Sequence, residues 1–245
     1  MAKILEGRRQ TLYVWRNLQL TKTRLFLFLV LLMLAFMLFV LNIFPFATVG
    51  IIMIPISYVL GVYSYKSYLT WIGGSVGEKA VLEHLKRLDD SFIVISGVVV
   101  PPNRGDTDHI VLGGNGIFVI ETKNVGGEIY CDGDEWDRRK TGRRGGVYKL
   151  KIGNPSNQVK RNAKVLKDFL LTHQKAIFQK KAPHLWVNGV LVFTNKDTLV
   201  EVKNQTVEVV KPDALVEYIR GVKSEATYSG SEVERMAEVI MKYSN

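Results

Sequence analysis

The sequence lacks the residue patterns of several common classes of site. Its 245 residues include one cysteine, Cys131, so an intrachain disulfide is excluded. The four histidines are scattered, and no spacing of cysteine and histidine resembles a zinc site. The chain also has neither a GxxxxGK loop nor a GxGxxG turn after a strand. These absences leave no common zinc-binding or nucleotide-binding motif in the sequence.

The sequence also lacks charged residues over one long segment. Residues 25–65 contain no Asp, Glu, Lys or Arg, and this run is about twice the length that one helix needs to cross a bilayer. Asn42 and Pro45 lie near its middle and predict a turn between two spans, 25–43 and 47–64. The length of the run and the second apolar segment argue against a cleaved signal peptide. The alternative is a buried hairpin in a soluble protein, although globular cores seldom contain uncharged runs this long.

The charges that flank this run predict its orientation. Residues 1–24 carry a net charge of +5, from one acid, Glu6, and six bases: Lys3, Arg8, Arg9, Arg16, Lys22 and Arg24. The positive-inside rule places this basic arm in the cytoplasm, and two spans return the chain to the same side. We therefore expect a multi-pass protein of the cell membrane whose N-terminus and following domain are cytoplasmic. The whole chain carries +10, which favours anionic partners such as nucleic acid or the lipid bilayer.

The rest of the chain alternates between helix and strand patterns. Gly73-Gly74-Ser75 predicts a break, which is followed by a helix with an apolar stripe that includes Val81 and Leu85. Several short strands follow, and residues 138–151 form a basic loop or hairpin. Asn154 and Pro155 then predict the start of another helix. Two later strand patterns and two terminal helices complete an α/β pattern with a mixed sheet.

Polar residues stand at the ends of two of these apolar strands. Strand alternation places Glu121 and Lys123 on one face, and Asp108 begins the preceding strand, where it is able to lie beside Glu121. Two adjacent carboxylates repel each other, and a divalent cation such as Mg²⁺ or Mn²⁺ removes that cost. A neighbouring lysine suits the activation of water or the stabilisation of charge on a phosphate. The alternative is a surface salt bridge at a strand end.

Two further polar residues stand on the predicted helices. Glu78 precedes Val81 and Leu82 by three and four residues and so shares their apolar face. It is either a third acid for the site or a first-turn acid favoured by the helix dipole. Gln158, near the start of the later helix, is suited to orienting water or contacting a phosphate. Together these residues favour hydrolysis of a phosphodiester.

Five segments, taken in order, resemble those of the nuclease-related domain, NERD, in the PD-(D/E)XK group of restriction-endonuclease-like folds. They are Gly77-Glu78, GDTDHI from Gly105, GIFVIETKN from Gly116, Trp136, and NPSNQ from Asn154. The resemblance covers roughly residues 75–190, and the family is often attached to transmembrane segments.

The resemblance implies a mixed sheet flanked by helices and a role for each matched residue. Asp108 and Glu121 correspond to the metal ligands, Lys123 to the catalytic lysine, Glu78 to the helix acid and Gln158 to the helix glutamine. Thr107 replaces the proline of the group's Pro-Asp pair. Asp106 is either an extra ligand or a turn residue. Folds of this kind often act as dimers, so a homodimer is also expected.

Other polar and aromatic residues carry weaker expectations. His109 points away from Asp108 on its strand and is interpreted as structural. Trp136 is expected to pack on the sheet rather than to stack on a base. The nucleic-acid surface is predicted to be the basic patch made of Arg138, Arg139, Lys140, Arg143 and Arg144, with Lys149 and Lys151 beside it and Lys160, Arg161 and Lys164 extending it.

The sequence thus predicts three regions: a basic arm over 1–24, a transmembrane helical hairpin over 25–65, and a NERD-like domain over 71–245. The favoured function is a membrane-anchored, divalent-metal-dependent nuclease that acts on DNA or RNA at the cytoplasmic face. One alternative is a non-catalytic module of the same fold that binds nucleic acid or protein and is tethered to the membrane. The other is a membrane scaffold.

Overall fold

A computed structural model describes residues 1–245 except 42–44, 104, 143, 180–182, 225 and 245, and the side chains of residues 8–14, 41 and 46 are also outside the description. The chain forms two compact units. One combines Met1–Thr11 with Val76–Asn245, and the other is Leu12–Ser75. The first is called the sheet unit below, and the second the helical unit.

The sheet unit contains a six-stranded mixed sheet in the order β1-β2-β3-β4-β8-β10. Its strands are β1 (Lys3–Glu6), β2 (Ile93–Val98), β3 (Thr107–Gly113), β4 (Gly116–Lys123), β8 (Val187–Phe193) and β10 (Glu208–Val210). The pairs β2–β3 and β3–β4 are antiparallel, whereas β1–β2, β4–β8 and β8–β10 are parallel. The apolar runs of the sequence form the central strands, where almost every side chain is buried.

A smaller sheet has the order β7-β6-β5-β9. Its strands are β5 (Gly127–Asp132), β6 (Glu135–Thr141), β7 (Val147–Leu150) and β9 (Thr198–Lys203). The strands β6 and β7 form the antiparallel hairpin predicted for the basic segment. This sheet packs on the larger one through a small core that includes Ile129, Leu191 and Phe193.

Helices cover both faces of the six-stranded sheet. On one face, α3 (Pro155–Thr172), α4 (Gln174–Ile177) and α6 (Gly230–Tyr243) surround a core with Ile110, Val119 and Leu166. On the other, the C-terminal part of α2 (Phe46–Leu85) and α5 (Pro212–Gly221) enclose Val81, Phe118 and Leu215. The predicted α/β class and the flanking helices are therefore confirmed. Gly189 lets α3 approach β8, because a Cβ there would lie 2.3 Å from Val159 Cγ1.

The helical unit consists of most of α1 (Arg8–Leu41) and the first part of α2. Both helices are long and apolar enough to cross a membrane, and few of their apolar side chains are buried. They contact each other closely, since a Cβ at Gly50 would lie 2.6 Å from the carbonyl oxygen of Ala35. Pro45 lies in the predicted turn, whereas Asn42 lies outside the described residues.

The structure differs from the sequence prediction in three elements. The predicted break at Gly73-Gly74-Ser75 is wrong, because α2 runs from Phe46 to Leu85. Residues 3–6, predicted as part of a basic arm, form the edge strand β1 and pair with β2. The strand β9 was not predicted, because its apolar residues do not follow its burial: Thr198 is buried whereas Leu199 beside it is exposed.

Candidate active site

The polar ends of β3 and β4 lie on the sheet face that α3 covers. The last pair of the β3–β4 ladder is His109 with Ile120, and the same register carried one residue further sets Asp108 opposite Glu121. Residues opposite each other on antiparallel strands point to the same face. The main-chain N–H of Thr122 donates a hydrogen bond of 2.7 Å to Asp108 Oδ2. This contact fixes the carboxylate at the end of β4.

Lys123 joins the strand end to α3. Its Nζ donates to Glu121 Oε1 over 2.6 Å and to Gln158 Oε1 over 3.0 Å. The Asn154 side chain caps α3 by accepting a hydrogen bond from the Asn157 N–H, as the sequence predicted. The glutamine therefore reaches the site from the first turn of a fixed helix. The Glu121 side chain is 3% exposed and that of Lys123 is 21% exposed, so the ammonium is accessible while its carboxylate partner is not.

The two carboxylates have unfavourable surroundings when ionised. Burial raises the pKa of Asp108 well above its ordinary value, and the charges of Glu121 and Glu78 raise it further. Burial also raises the pKa of Glu121, although Lys123 opposes this shift. Asp106 raises the pKa of both residues, and Arg161 lowers that of Glu121. The site therefore brings several carboxyl groups together beside the Lys123 ammonium, in surroundings that disfavour their ionised forms.

Glu78 reaches this region because Gly77 allows close packing. Gly77 is buried, and a Cβ there would lie 2.8 Å from Asn124 Cβ and 2.9 Å from Thr194 Oγ1. The glycine therefore brings α2 against the ends of β4 and β8. Glu78 is half-buried, and its charge affects Asp108. The alternative of a first-turn acid is wrong, because Glu78 lies near the C-terminal end of α2, which begins at Phe46. A role for Glu78 at the site stays a prediction.

Asp108 and Glu121 provide part of a ligand set for a divalent cation. Glu121 Oε2 is buried and accepts no hydrogen bond within the described part of the chain, and hard oxygen donors suit Mg²⁺ or Mn²⁺. However, the described residues contain no cluster of three or more His, Cys, Asp or Glu side chains able to hold a metal. The fit therefore rests on Asp108 and Glu121, with remaining ligands to come from substrate or water.

His109 and Trp136 both have the packing roles expected of them. His109 is buried on the opposite sheet face, where its Nδ1 lies 2.9 Å from Ser96 Oγ. Desolvation lowers the pKa of His109 to about 4, which leaves the imidazole neutral. The Trp136 ring packs on Phe193 with centroids 5.8 Å apart, and its Nε1 donates to Ser156 Oγ.

The predicted basic patch is only partly free to contact a polyanion. Arg138 donates to the Gly126 carbonyl, Arg139 pairs with Asp137, and Lys160 pairs with Asp134 over 2.7 Å. Lys140, Arg144 and Arg161 are exposed. Arg143 lies outside the described residues.

Two contributions to the site were not predicted from the sequence. The Thr122 N–H holds Asp108, and no sequence pattern identifies a main-chain donor of this kind. Arg161, assigned to the nucleic-acid surface, is close enough to influence Glu121. Its position one turn after Gln158 on the same helix was the available signal.

Comparison with known proteins agrees with this geometry. Residues 73–194 match the sequence model of the nuclease-related domain family, NERD. An uncharacterized protein of Bacillus anthracis is 37% identical over 117 residues, which are 45% of this chain and 52% of that protein. The chain thus spans about half the length of this relative. No solved structure matches the chain. The segment that carries Glu78, Asp108, Glu121, Lys123 and Gln158 is a nuclease-related domain, and by it the chain belongs to the NERD family.

Proposed function

We propose that this chain is a membrane-anchored nuclease that hydrolyses phosphodiester bonds of DNA or RNA at the cytoplasmic face with Mg²⁺ or Mn²⁺. The observation that carries the proposal is the bridge from Lys123 Nζ to Glu121 Oε1 and Gln158 Oε1 beside Asp108. A largely buried ion pair of this kind is weak evidence for a contribution to stability. It suits a site of the PD-(D/E)XK type.

Each residue has a chemical role in this proposal. Asp108 and Glu121 would hold the ion, which when bound offsets their repulsion and stabilises negative charge on the phosphate. Lys123 Nζ orients the attacking water or stabilises charge that develops on the phosphate oxygens. Gln158 holds Lys123 in place. Glu78 and Asp106 supply further carboxylates that attract the cation.

The topology supports the membrane part of the proposal. The strand β1 precedes both apolar helices and pairs with β2, which follows them. This pairing requires the N-terminus and the sheet unit to lie on the same side of any membrane that the helices cross. An even number of crossings satisfies that requirement, and the basic residues of 1–24 favour the cytoplasmic side.

A second candidate function is a tethered module that binds nucleic acid or protein without cleaving it. The observation in its favour is that Lys123 already satisfies one Glu121 oxygen, while no three-ligand cluster occurs among the described residues. The homodimer expected from the resemblance stays a prediction.

The two functions are separated by assaying the full chain in nanodiscs. Labelled single- and double-stranded DNA and RNA are incubated with Mg²⁺, Mn²⁺ or EDTA. We expect cleavage that EDTA abolishes and that Lys123→Ala lowers at least about 100-fold, as for loss of a transition-state donor. Lys175→Ala removes an exposed lysine of α4, outside the strand ends that carry the site, and serves as the control. Binding without cleavage by the wild-type chain would favour the tethered module.

A further inference from the structure

A large exposed aromatic ring lies away from the candidate active site. Trp186 is 58% exposed, although its neighbours Leu185 and Val187 are both buried. Those two side chains anchor the backbone at the start of β8, so the indole is held outward. A single exposed apolar residue is common on protein surfaces, so the meaning of this ring depends on the residues around it.

Two hollows meet at this ring, and cationic residues line both. The larger, of about 810 Å³, has Lys164 and Lys167 of α3 along one side. The smaller, of about 360 Å³, includes His184 and Lys223 and no acidic residue. Trp186 and Asn188 line both hollows. The two hollows together are called the Trp186 groove below.

The charge of the groove is largely unneutralised. Lys164, Lys167 and Lys223 form no ion pair within the described part of the chain, and Glu208 is the acid that lines the larger hollow. Lys167 Nζ lies 5.7 Å from the centroid of the Trp186 ring, within the range of a cation–π contact. An exposed indole is suited to stack on a base, and the cations beside it are suited to bind the phosphates that flank that base.

The groove is separate from the site at Lys123. Residues 160, 164 and 167 follow an i, i+4, i+7 spacing and occupy one flank of α3. Gln158 lies on the opposite flank, 180° or so around the helix axis at 100° per residue, and there it contacts Lys123. The same helix therefore presents a glutamine to the candidate active site and a row of lysines to the groove.

We propose that the Trp186 groove binds single-stranded nucleic acid, with a base stacked on Trp186 and phosphates on Lys164, Lys167 and Lys223. The reason for a single strand is geometric, because an indole stacks on a base only when that base is not already stacked in a duplex. If the chain is a nuclease as proposed, single strands are its substrate class. The binding of a single strand in the groove does not depend on the proposed nuclease function.

The test measures binding by the full chain in nanodiscs, with EDTA present to prevent metal-dependent cleavage. A fluorescent oligothymidylate is compared with a hairpin duplex of equal charge. We expect Trp186→Ala to weaken binding of the single strand about tenfold or more, Trp186→Phe to retain most of it, and duplex binding to change less than twofold.

The lysines are tested by the dependence of binding on salt. The double variant Lys164→Ala/Lys167→Ala should reduce the slope of log K against log[salt] by about 1.4, since each phosphate contact on a single strand contributes about 0.7. The matched control is Lys196→Ala/Lys211→Ala, which removes two exposed lysines outside the groove. Its slope should stay close to that of the wild type.

Several results would overturn the proposal. They are unchanged single-strand binding by Trp186→Ala, an equal loss for the duplex, or displacement of the oligonucleotide by polyglutamate at matched charge. The last would mean that the groove binds acidic peptides as well as phosphates. Absence of cleavage with Mg²⁺, together with Trp186-dependent binding, would remove the nuclease proposal and leave the groove intact. Cleavage with Mg²⁺, together with single-strand binding that does not depend on Trp186, would remove the groove proposal and leave the nuclease proposal intact.

Discussion

At the scale of single residues, the two carboxyl groups of the candidate site are buried at a cost in stability when they are ionised. Asp108 and Glu121 both have pKa values raised by burial, and the neighbouring carboxylates add to the shift of Asp108. The folded state therefore binds protons at these groups more tightly than the unfolded state does. Their contribution to stability is complete below the unfolded pKa of about 4 and is lost as pH rises through the folded values.

Neutralising Asp108 should consequently stabilise the protein at neutral pH while it abolishes function. In EDTA at pH 7, we expect Asp108→Asn to unfold at least about 2 °C above the wild type, because each pKa unit is worth about 1.4 kcal/mol. The advantage should shrink towards pH 4. The measurement is thermal unfolding of the full chain in nanodiscs between pH 4 and 8.

A divalent cation should reverse that difference. Mn²⁺ at about 100 times its dissociation constant would stabilise the wild type by about 2.7 kcal/mol, since it binds the folded state. Asp108→Asn and Glu121→Gln should gain much less, and Glu234→Gln, at an exposed acid of α6, serves as the control. Equal stabilisation of all four chains by Mn²⁺ would rule out the ligand assignment.

The sequence was sufficient to predict that Asp108, Glu121 and Lys123 lie close together, because their signal is local, and their role in a site stays a prediction. Strand alternation sets Glu121 and Lys123 on one face, and an apolar strand before them makes their polarity conspicuous. The contact with Gln158 spans 35 positions, and no periodicity specifies it; the family resemblance supplied that link. The Trp186 groove was not predicted, because its lining comes from α3, β8 and distant loops that only the fold brings together.

At the scale of elements, α2 shows why a glycine pattern was misinterpreted. Gly73 and Gly74 have open space around them, and the helix continues through both. Helical propensity penalises each glycine by only about 1 kcal/mol, which neighbouring turns are able to offset. Gly77 instead has a packing role against Asn124 and Thr194. Sequence alone does not distinguish these two uses of glycine.

This difference predicts opposite outcomes for two alanine substitutions on one helix. Gly77→Ala places a methyl group 2.8 Å from Asn124 Cβ, so we expect a loss of about 1–3 kcal/mol in stability and displacement of Glu78. Gly74→Ala meets no atom within 4 Å and should be neutral or stabilising by up to about 1 kcal/mol. Thermal unfolding and the nuclease assay check both, and equal effects of the two changes would contradict this account.

The edge strand β1 was not predicted because four residues beside a basic helix start give too short a pattern. Its partners are distant in sequence, with Gly7 N–H donating to the Ser96 carbonyl over 2.8 Å. Ile4 packs on one core and Leu5 on the other. The strand therefore covers the edge of β2 by backbone pairing, and it adds one side chain to the core on each face of the sheet.

Removal of β1 should accordingly damage the sheet unit. We expect a fragment of residues 71–245 to aggregate or to unfold well below the full chain, because the apolar β2 becomes an exposed edge. Residues 1–11 fused through a flexible linker to residue 76 should restore solubility. Size-exclusion chromatography and thermal unfolding compare the two, and a monomeric, equally stable 71–245 fragment would refute the role of β1.

At the scale of the whole molecule, the β1–β2 pairing constrains how the chain crosses a membrane. If the helical pair crosses the bilayer as proposed, both of its ends must lie on the same side, because β1 at the N-terminus pairs with β2 after the helices. Cys131 is only 4% exposed and is a poor reporter of that compartment. A cysteine is better introduced at exposed positions in a Cys131→Ser background, at Ser231 in the sheet unit and at Pro45 in the turn between the helices.

These positions should respond oppositely to an impermeant thiol reagent in intact cells. The proposed orientation, based on the basic residues of 1–24, has the sheet unit in the cytoplasm, so on that proposal Ser231→Cys should be protected until the membrane is permeabilised. Pro45→Cys, between the two spans, should be labelled from outside at once.

Labelling of Ser231→Cys in intact cells would invert the topology and separate the domain from cytoplasmic nucleic acid. Protection of both positions would mean that the helical pair does not cross the membrane, and the domain would then need another route to the bilayer.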